Sequence, residues 1–377
     1  MARTRSSTLF CLGLALLALC AGVFSATPSP ACPPGFLGPP RTLQDEIADA
    51  DVVVFCRQLA EPSPGDYGRV RFEVTEFIKG ESALPQPLVE RRGPRRLTAE
   101  LRSRAAGAEY LVFGKKDAKQ EAVRWQEAQP VNDREMAFVR CVASFTDRTT
   151  DLERLRLLLP FLSAPEDFIL GDVNSFLKQI DYAAYQEART ELPLSFLRDE
   201  LAKPLMDPVR LRIYLTMLSV CGTKDDLPLV KPLLEISYGW RLETRGSAVA
   251  CCVVLGGEAE LVPLLEAYFK HDEEPSWQAP NGYEIFGAVC FAARESTSIS
   301  RERAIEVLRT FVDRPRFADL AVRELALFED WDFAPRCMEI FRRTDAENKS
   351  WLKQSAVHFM RASPRADAAQ FLAEMRA

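Results

Sequence analysis

The chain has 377 residues, of which 47% are hydrophobic, 10% aromatic and 27% charged, the composition of a folded protein of about two domains and not of a disordered one. Its net charge of -6 excludes the basic stripe that neutralising phosphates requires, so nucleic acid is not expected as a partner. With only 2 histidines, His271 and His358, triad, general-base and zinc chemistry lose the side chain they use most.

In chain order, residues 1–26 come first. Arg3 and Arg5 precede an apolar run from Leu9 to Val23 and the small residues Ser25 and Ala26, the order of a secretory signal peptide. The run is too short to span a bilayer comfortably and no second one follows, so the expectation is an exported protein, periplasmic or extracellular, with no stable membrane span. Leu19 stands where a lipoprotein box takes a small residue before Cys20, which argues against a lipid anchor there. A Pro-rich leader over 27–40 contains Pro28, Pro30, Pro33, Pro34, Pro39 and Pro40.

Residues 41–133 read as a small β-barrel or sandwich. Leu43 to Ala50 is a short helix capped by Thr42. Asp51 to Phe55 is a strand, Val70 to Ile78 keeps period 2 until Lys79-Gly80, Glu109 to Phe113 is a third strand before Gly114, and Ala122 to Trp125 is a fourth.

The residues Ala48-Asp49-Ala50-Asp51-Val52-Val53-Val54, the Phe72-Glu73-Val74 strand ending at Ile78-Lys79-Gly80, and Glu109-Tyr110-Leu111-Val112-Phe113 together resemble the netrin-like, metalloproteinase-inhibitor-type OB barrel, a secreted binding module. Inhibitors of that family begin with Cys-x-Cys, whose terminal amine and carbonyl grip the protease zinc. Cys32 is the matching position, but Pro33-Pro34 follows and the second cysteine is absent.

Residues 134–377 change to helices of 10 to 15 residues joined by short turns. Placing 209–234 over 244–269 aligns Arg210 with Arg245, Gly222 with Gly257, Leu227 with Val262, Pro228 with Pro263 and Leu229 with Leu264, a constant offset of 35. Each unit reads as one apolar helix, a Gly-marked turn, and a second helix opened by proline in its first turn. Further copies are expected at about 283–313, 317–343 and 349–376, with two or three pairs over 134–203. The fold class is therefore α+β multidomain: a small N-terminal β-barrel (OB/netrin-like), then an all-α HEAT-like solenoid. The combination resembles a family of secreted bacterial proteins, which implies architecture and compartment without a reaction.

No nucleotide, zincin, calcium or hydrolase motif occurs, and Gly107 to Lys116 is not a phosphate loop because a strand fills the interval between its glycines. No catalytic, cofactor-binding or metal residue is assigned, and no cofactor is implied. Of 10 cysteines, eight lie outside the signal, with no CxxC. They read either as small buried hydrophobes or as disulfides such as Cys221–Cys251 and Cys32–Cys56; vicinal Cys251 and Cys252 point about 100° apart on a helix. His271 reads as a surface helix-end residue and His358 as a partly buried packing residue. The basic run Arg91-Arg92-Gly93-Pro94-Arg95-Arg96 reads as a solvated loop, and Asp272-Glu273-Glu274, Glu329-Asp330 and Asp332 as solvated turns. Trp331 and Tyr238-Gly239-Trp240 read as packed hairpin clamps.

The expected function is that of an exported, non-enzymatic binding or scaffold protein that offers a helical-repeat surface to protein partners. Three alternatives stand beside it: a metalloproteinase-inhibitor-like regulator acting through the barrel and Cys32, an envelope enzyme with an Asp/Glu site between barrel and helices, and a carrier of a small apolar ligand.

Overall fold

The computed structural model describes residues 42–59, 69–81, 96–100, 109–117, 122–203, 206–235, 242–270, 282–347 and 350–375. The expected signal peptide, the Pro-rich leader, Cys20, Cys32, Arg91 to Arg95, Tyr238 to Trp240, His271 and the Asp272–Glu274 run lie outside them.

Helix α1 (Leu43–Asp49) opens at Thr42, whose hydroxyl accepts from the Asp45 N–H while the Asp45 carboxylate accepts the Thr42 N–H, a reciprocal capping box. Strands β1 (Val52–Gln58), β2 (Arg69–Lys79), β3 (Arg96–Glu100), β4 (Glu109–Asp117), β5 (Ala122–Trp125) and β6 (Gln129–Val131) follow. They form one antiparallel sheet in the order β3-β2-β1-β4-β5, with β6 also on β4. This corrects the expected closed barrel: the end strands β3 and β5 come near each other but do not pair. At five and four residues they offer too few ladder bonds to close the sheet.

Gly80 turns the chain at φ +79, and a Cβ there would lie 1.9 Å from the Asp51 carbonyl oxygen. No other residue fits without moving the backbone. Gly114 does not end its strand as expected; β4 continues to Asp117, because the missing side chain leaves room for Val123 and Trp125 on β5. Strand β1 is buried from Val52 to Cys56 without alternation, since both faces are covered. Val53 and Phe55 face the helices, whereas Val52, Val54 and Cys56 join Phe72, Tyr110 and Val112 in a small separate core.

The rest of the described chain is helical: α2 (Asp133–Ala143), α3 (Asp151–Leu158), α4 (Asp167–Leu177), α5 (Tyr182–Glu187) and α6 (Leu194–Leu201), followed by helix pairs. The pairs are α7 (Pro208–Cys221) with α8 (Leu227–Val230), α9 (Leu242–Gly256) with α10 (Glu258–Lys270), α11 (Gly282–Phe291) with α12 (Arg301–Val312), α13 (Ala318–Leu327) with α14 (Ala334–Glu347), and α15 (Ser350–Ala362) with α16 (Ala366–Glu374). Their first helices begin at 208, 242, 282, 318 and 350, so the spacing runs from 32 to 40 residues. Successive first helices pack together, α7 on α9, α9 on α11 and α13 on α15, and α14 lies against α16.

Two details depart from the sequence reading. Pro228 opens α8 in its first turn as read, but the helix is only four residues long and passes at Lys231 into a 3-10 turn that holds Pro232. Pro263 does not open α10 but lies inside it, because the helix starts upstream at Glu258, directly after Gly257 turns at φ +62.

One apolar core runs from Leu43, Val53 and Phe55 through α2 to α7 and ends on α9 at Ala248, Cys251 and Cys252. A second begins on the same helix at Val249 and Val253 and continues to Phe371. Arg140 of α2 ties the sheet to the helices: it donates to Glu76 of β2 at 2.6 to 3.1 Å while its guanidinium lies 5.2 Å from the centre of the Phe55 ring. No helix among the described residues is long and apolar enough to cross a membrane.

Candidate functional site

Each helix pair has two edges. The turn inside a pair is cross-linked by ion pairs: Arg198 forks Asp226 at 2.6 and 3.1 Å, and Arg309 forks Asp330 at 2.8 and 2.6 Å. Asp226 and Asp330 are both buried, so Asp330 is not the solvated turn residue expected from its acidic neighbours. Hydrogen bonds from Arg198 hold the Asp226 carboxyl below the ordinary carboxylate range, against the opposing effect of burial.

On the opposite edge, the turn that leads from the α11–α12 pair to the α13–α14 pair is aromatic and basic. Helix α12 stops at Val312 because Pro315 cannot continue it, and the turn closes with the Phe317 and Ala318 N–H groups donating to the Arg314 carbonyl at 2.9 and 3.0 Å. Phe317 then plunges into a ring cluster, 5.2 Å from Phe311 and 4.5 Å from Tyr283. The Arg314 guanidinium sits 5.1 Å from the centre of the Phe269 ring. Immediately beside this turn lies a small cleft lined by Val312, Asp313, Pro315, Ala318, Arg336, Ile340, Arg343, Trp351 and Leu352. Arg336 is held there by Asp313 at 3.0 Å and Glu339 at 2.6 Å.

The cleft encloses about 40 Å³. Pockets that swallow a small substrate enclose about 300 to 1,000 Å³, so this one has room for the tip of a side chain and not for a substrate. It sets the Arg336 and Arg343 side chains beside the Trp351 indole. Trp351 is 41% exposed and Tyr283, on the other side of the same turn, is 47% exposed. Each is the second residue of the first helix of a pair, α15 and α11. Among the described residues, no group of three or more His, Cys, Asp or Glu is placed to hold a metal.

The sequence-nominated residues are scattered. His358 is exposed on α15, which corrects its reading as a packing residue: its neighbours Phe359 and Met360 take the buried stripe. Trp331 is half-buried with its ring 5.5 Å from Phe359, as a clamp would be. Cys56, Cys141, Cys221, Cys251, Cys252, Cys290 and Cys337 are free thiols, so Cys221 and Cys251 are not bridged. Burial raises the thiol pKa of Cys141 and of Cys221 to about 11, and that of Cys251 and Cys290 well above the ordinary value. None is an activated thiolate. Arg96, the last residue of the basic run, opens β3.

One carboxyl escaped the sequence reading. Asp172 of α4 accepts the Leu43 N–H of α1 at 2.8 Å, while its second oxygen is buried without a partner. Burial raises its pKa to about 7; the Leu43 bond opposes this, and Glu46 and Asp45 add to it. Its only sequence signal is an acidic residue inside an apolar helix, Ile169-Leu170-Gly171-Asp172-Val173. The cleft was missed for a different reason: Arg314-Pro315-Arg316 marks a turn, but no spacing in the sequence brings Arg343 and Trp351 beside it.

Comparison of the chain with protein-family models, with curated proteins and with solved structures gave no match. The functional reading therefore rests on the residues themselves.

Proposed function

We propose that this is an exported, non-enzymatic binding protein in which a netrin-like OB domain is joined to a HEAT-like helical array that serves protein partners. Support for the OB assignment comes from an antiparallel sheet whose end strands β3 and β5 approach each other without pairing, in keeping with a partly open barrel. The HEAT-like assignment is supported by paired helices at a spacing of 32 to 40 residues, whose first helices pack α7 on α9, α9 on α11 and α13 on α15. Export is supported by the n-, h- and c-region order of residues 1–26.

The observation that carries the binding reading is the exposed Trp351 beside Arg336 and Arg343 in a cleft too small to enclose a substrate. Large amphipathic and guanidinium side chains of this kind are the usual anchors of protein interfaces. To test it, a photoreactive benzophenone amino acid replaces Trp351 in the full chain expressed in its exporting host, with Glu329 on the opposite edge as the control position. The expected result is an adduct at 351 that maps to one segment of one partner, with none at 329. Equal labelling at both positions, or none at 351, overturns the reading.

A second reading, an enzyme with an Asp/Glu site between sheet and helices, is favoured by one observation, the raised pKa of Asp172. Against it, one Asp172 oxygen is committed to the Leu43 amide and the other is sealed from solvent. Asp172 works there as a clasp between α1 and α4.

A further inference from the structure

Helix α1 stands at the joint between the sheet and the helices and is gripped at both ends by groups from elsewhere in the chain. We propose that its first turn is a latch on α4 worked by a proton: Asp172 holds the turn while its carboxyl is neutral, and the turn frays open, hinged at the other end of α1, once the carboxyl ionises.

The two ends are gripped differently. At the C-terminal end the Lys79 ammonium of β2 donates to the Ile47 and Ala48 carbonyls, both at 2.7 Å. At the N-terminal end, Leu43 is the first residue of the helix, so its N–H is one of the amides that a helix leaves without an internal partner. Leu43 is 3% exposed, which leaves water little access to it. Its N–H donates instead to Asp172 Oδ1 at 2.8 Å. The carbonyl oxygen of a neutral carboxyl accepts such a bond, so seating α1 requires the Asp172 side chain and not its charge. With seven residues, α1 is too short to persist where its packing is lost, so a turn that leaves its seat unwinds.

Ionised, the carboxylate meets nothing that compensates it. Asp172 Oδ2 is sealed from solvent and has no hydrogen-bond partner among the described residues. The charges that act on Asp172 are Glu46 and Asp45, two acids in the first turn of α1 itself. Helices α2, α3 and α7 also pack on α4, but their cations are turned elsewhere. Arg134 pairs with Glu166, Arg140 with Glu76, Arg154 with Asp151 and Arg156 with Glu191, while Arg210 acts on Tyr214 and buried Arg212 has a partner of its own. Of the acids on those helices, Glu135 and Glu153 close capping boxes and Asp133 acts on Arg140; Asp167, on α4 itself, is exposed.

This geometry sets the direction of the switch. Burial raises the Asp172 pKa to about 7, with Glu46 and Asp45 adding to it and the Leu43 bond opposing it. Once the turn opens, the carboxyl meets water and titrates in the ordinary carboxylate range. The ratio of open to seated turns therefore rises about tenfold per pH unit from that range up to about pH 7, and is level above it. Opening takes Leu43 out of the core it shares with Val53, Phe55 and Phe138, so the joint is tight in acid and loose in base.

The test is hydrogen exchange of the full chain from pH 5 to pH 8, followed by mass spectrometry, with every rate divided by the intrinsic rate at that pH. Protection of peptides spanning α1 is expected to fall about tenfold per pH unit up to about pH 7 and then level, while α9 and α13 keep theirs. Asp172→Asn, whose amide oxygen still accepts the Leu43 N–H, is expected to hold α1 equally at every pH, and Asp172→Ala to leave it open at every pH. Glu46 is exposed, and Glu46→Gln is expected to move the levelling point to lower pH by removing one of the two repelling charges.

Protection of α1 that does not change with pH in the unaltered chain overturns the proposal, as does the same fall in Asp172→Asn. A fall shared equally by α9 and α13 overturns it too, since the chain would then be losing stability as a whole and not opening a latch. Should Asp172→Asn fail to fold, the unaltered chain and Glu46→Gln still decide: a levelling point that Glu46→Gln leaves in place means that Asp172 does not work the turn.

Discussion

The sheet and the paired helices are stabilised in different ways. In the sheet, Val52 to Cys56 are buried on both faces, and closeness comes from absent side chains: Gly80 against Asp51, Gly114 against Val123 and Trp125. In the helical pairs, apolar stripes fill the interior while charged residues link one unit to the next, as Arg245 of α9 does with Glu284 of α11 at 2.9 and 3.0 Å. The contrast has a physical reason. The buried middle of a two-sided strand has no solvent-facing residue to spare for a charge, so in the sheet ion pairs sit at strand ends, as Arg57 with Glu109, whereas a helix has a solvent-facing side along its whole length.

The sharpest way to break this comparison is to ask whether the two apolar cores, which meet on α9, unfold separately. Phe55→Ala and Phe311→Ala each delete a fully buried ring and are expected to cost about 3 to 5 kcal/mol. The first is expected to weaken protection of the sheet and α2 to α7, the second that of α11 to α16, as read by hydrogen exchange followed by mass spectrometry. Equal loss of protection throughout the chain under either substitution would mean that α9 fuses the cores into one cooperative unit.

Next in size is the link between units. The Arg245 side chain is 3% exposed and that of Glu284 11%, so Arg245→Ala takes the guanidinium from a largely buried carboxylate, at an expected cost of about 3 to 5 kcal/mol in chemical denaturation. Replacing both, Arg245→Met with Glu284→Leu, is expected to recover most of that stability. If the double variant is no better than the single one, the pair is not acting as a pair.

A smaller effect is expected at the joint between the two regions. The folded chain keeps the Asp172 proton up to about pH 7, whereas the unfolded chain releases it in the ordinary carboxylate range. The raised pKa therefore opposes folding increasingly as pH rises through that interval, by a few kcal/mol at most, and the effect is constant above it. Asp172→Asn is expected to flatten this part of the stability profile between pH 4 and pH 8; an unchanged slope would show that Asp172 is not its source.

The smallest effect is on reactivity. Treated with a thiol reagent, half-buried Cys141 and Cys221 are expected to react slowly and first among the described cysteines, and Cys251, Cys252, Cys290 and Cys337 only on unfolding, as mapped by peptide mass. Early modification of Cys252 would show that α9 is less tightly enclosed than its packing implies.

Much of this was legible in the residues. Thr42 capped the first helix, and Lys79-Gly80 ended β2 where the pattern placed its end. Residues 283–313, 317–343 and 349–376 each hold a helix pair. Such features are local: a cap, a turn glycine and an apolar period depend on neighbours a few positions away. Strands β3 and β6 were not legible, since Arg-Leu-Thr-Ala-Glu and Gln-Pro-Val have little strand character and owe their pairing to β2 and β4.

The sequence by itself determined the class, a small sheet followed by helices in pairs, because periodicity and turn chemistry are written residue by residue. Tertiary structure alone decided that the sheet stays open, that Asp330 is buried under Arg309, that His358 faces out, and that Asp172 meets the Leu43 amide across the joint. It also decided where the candidate site lies. Asp313, Arg336, Arg343 and Trp351 come together only because α13 packs on both α12 and α15 and α14 packs on α15, and that proximity is set by how apolar stripes pack, which no spacing along the chain encodes.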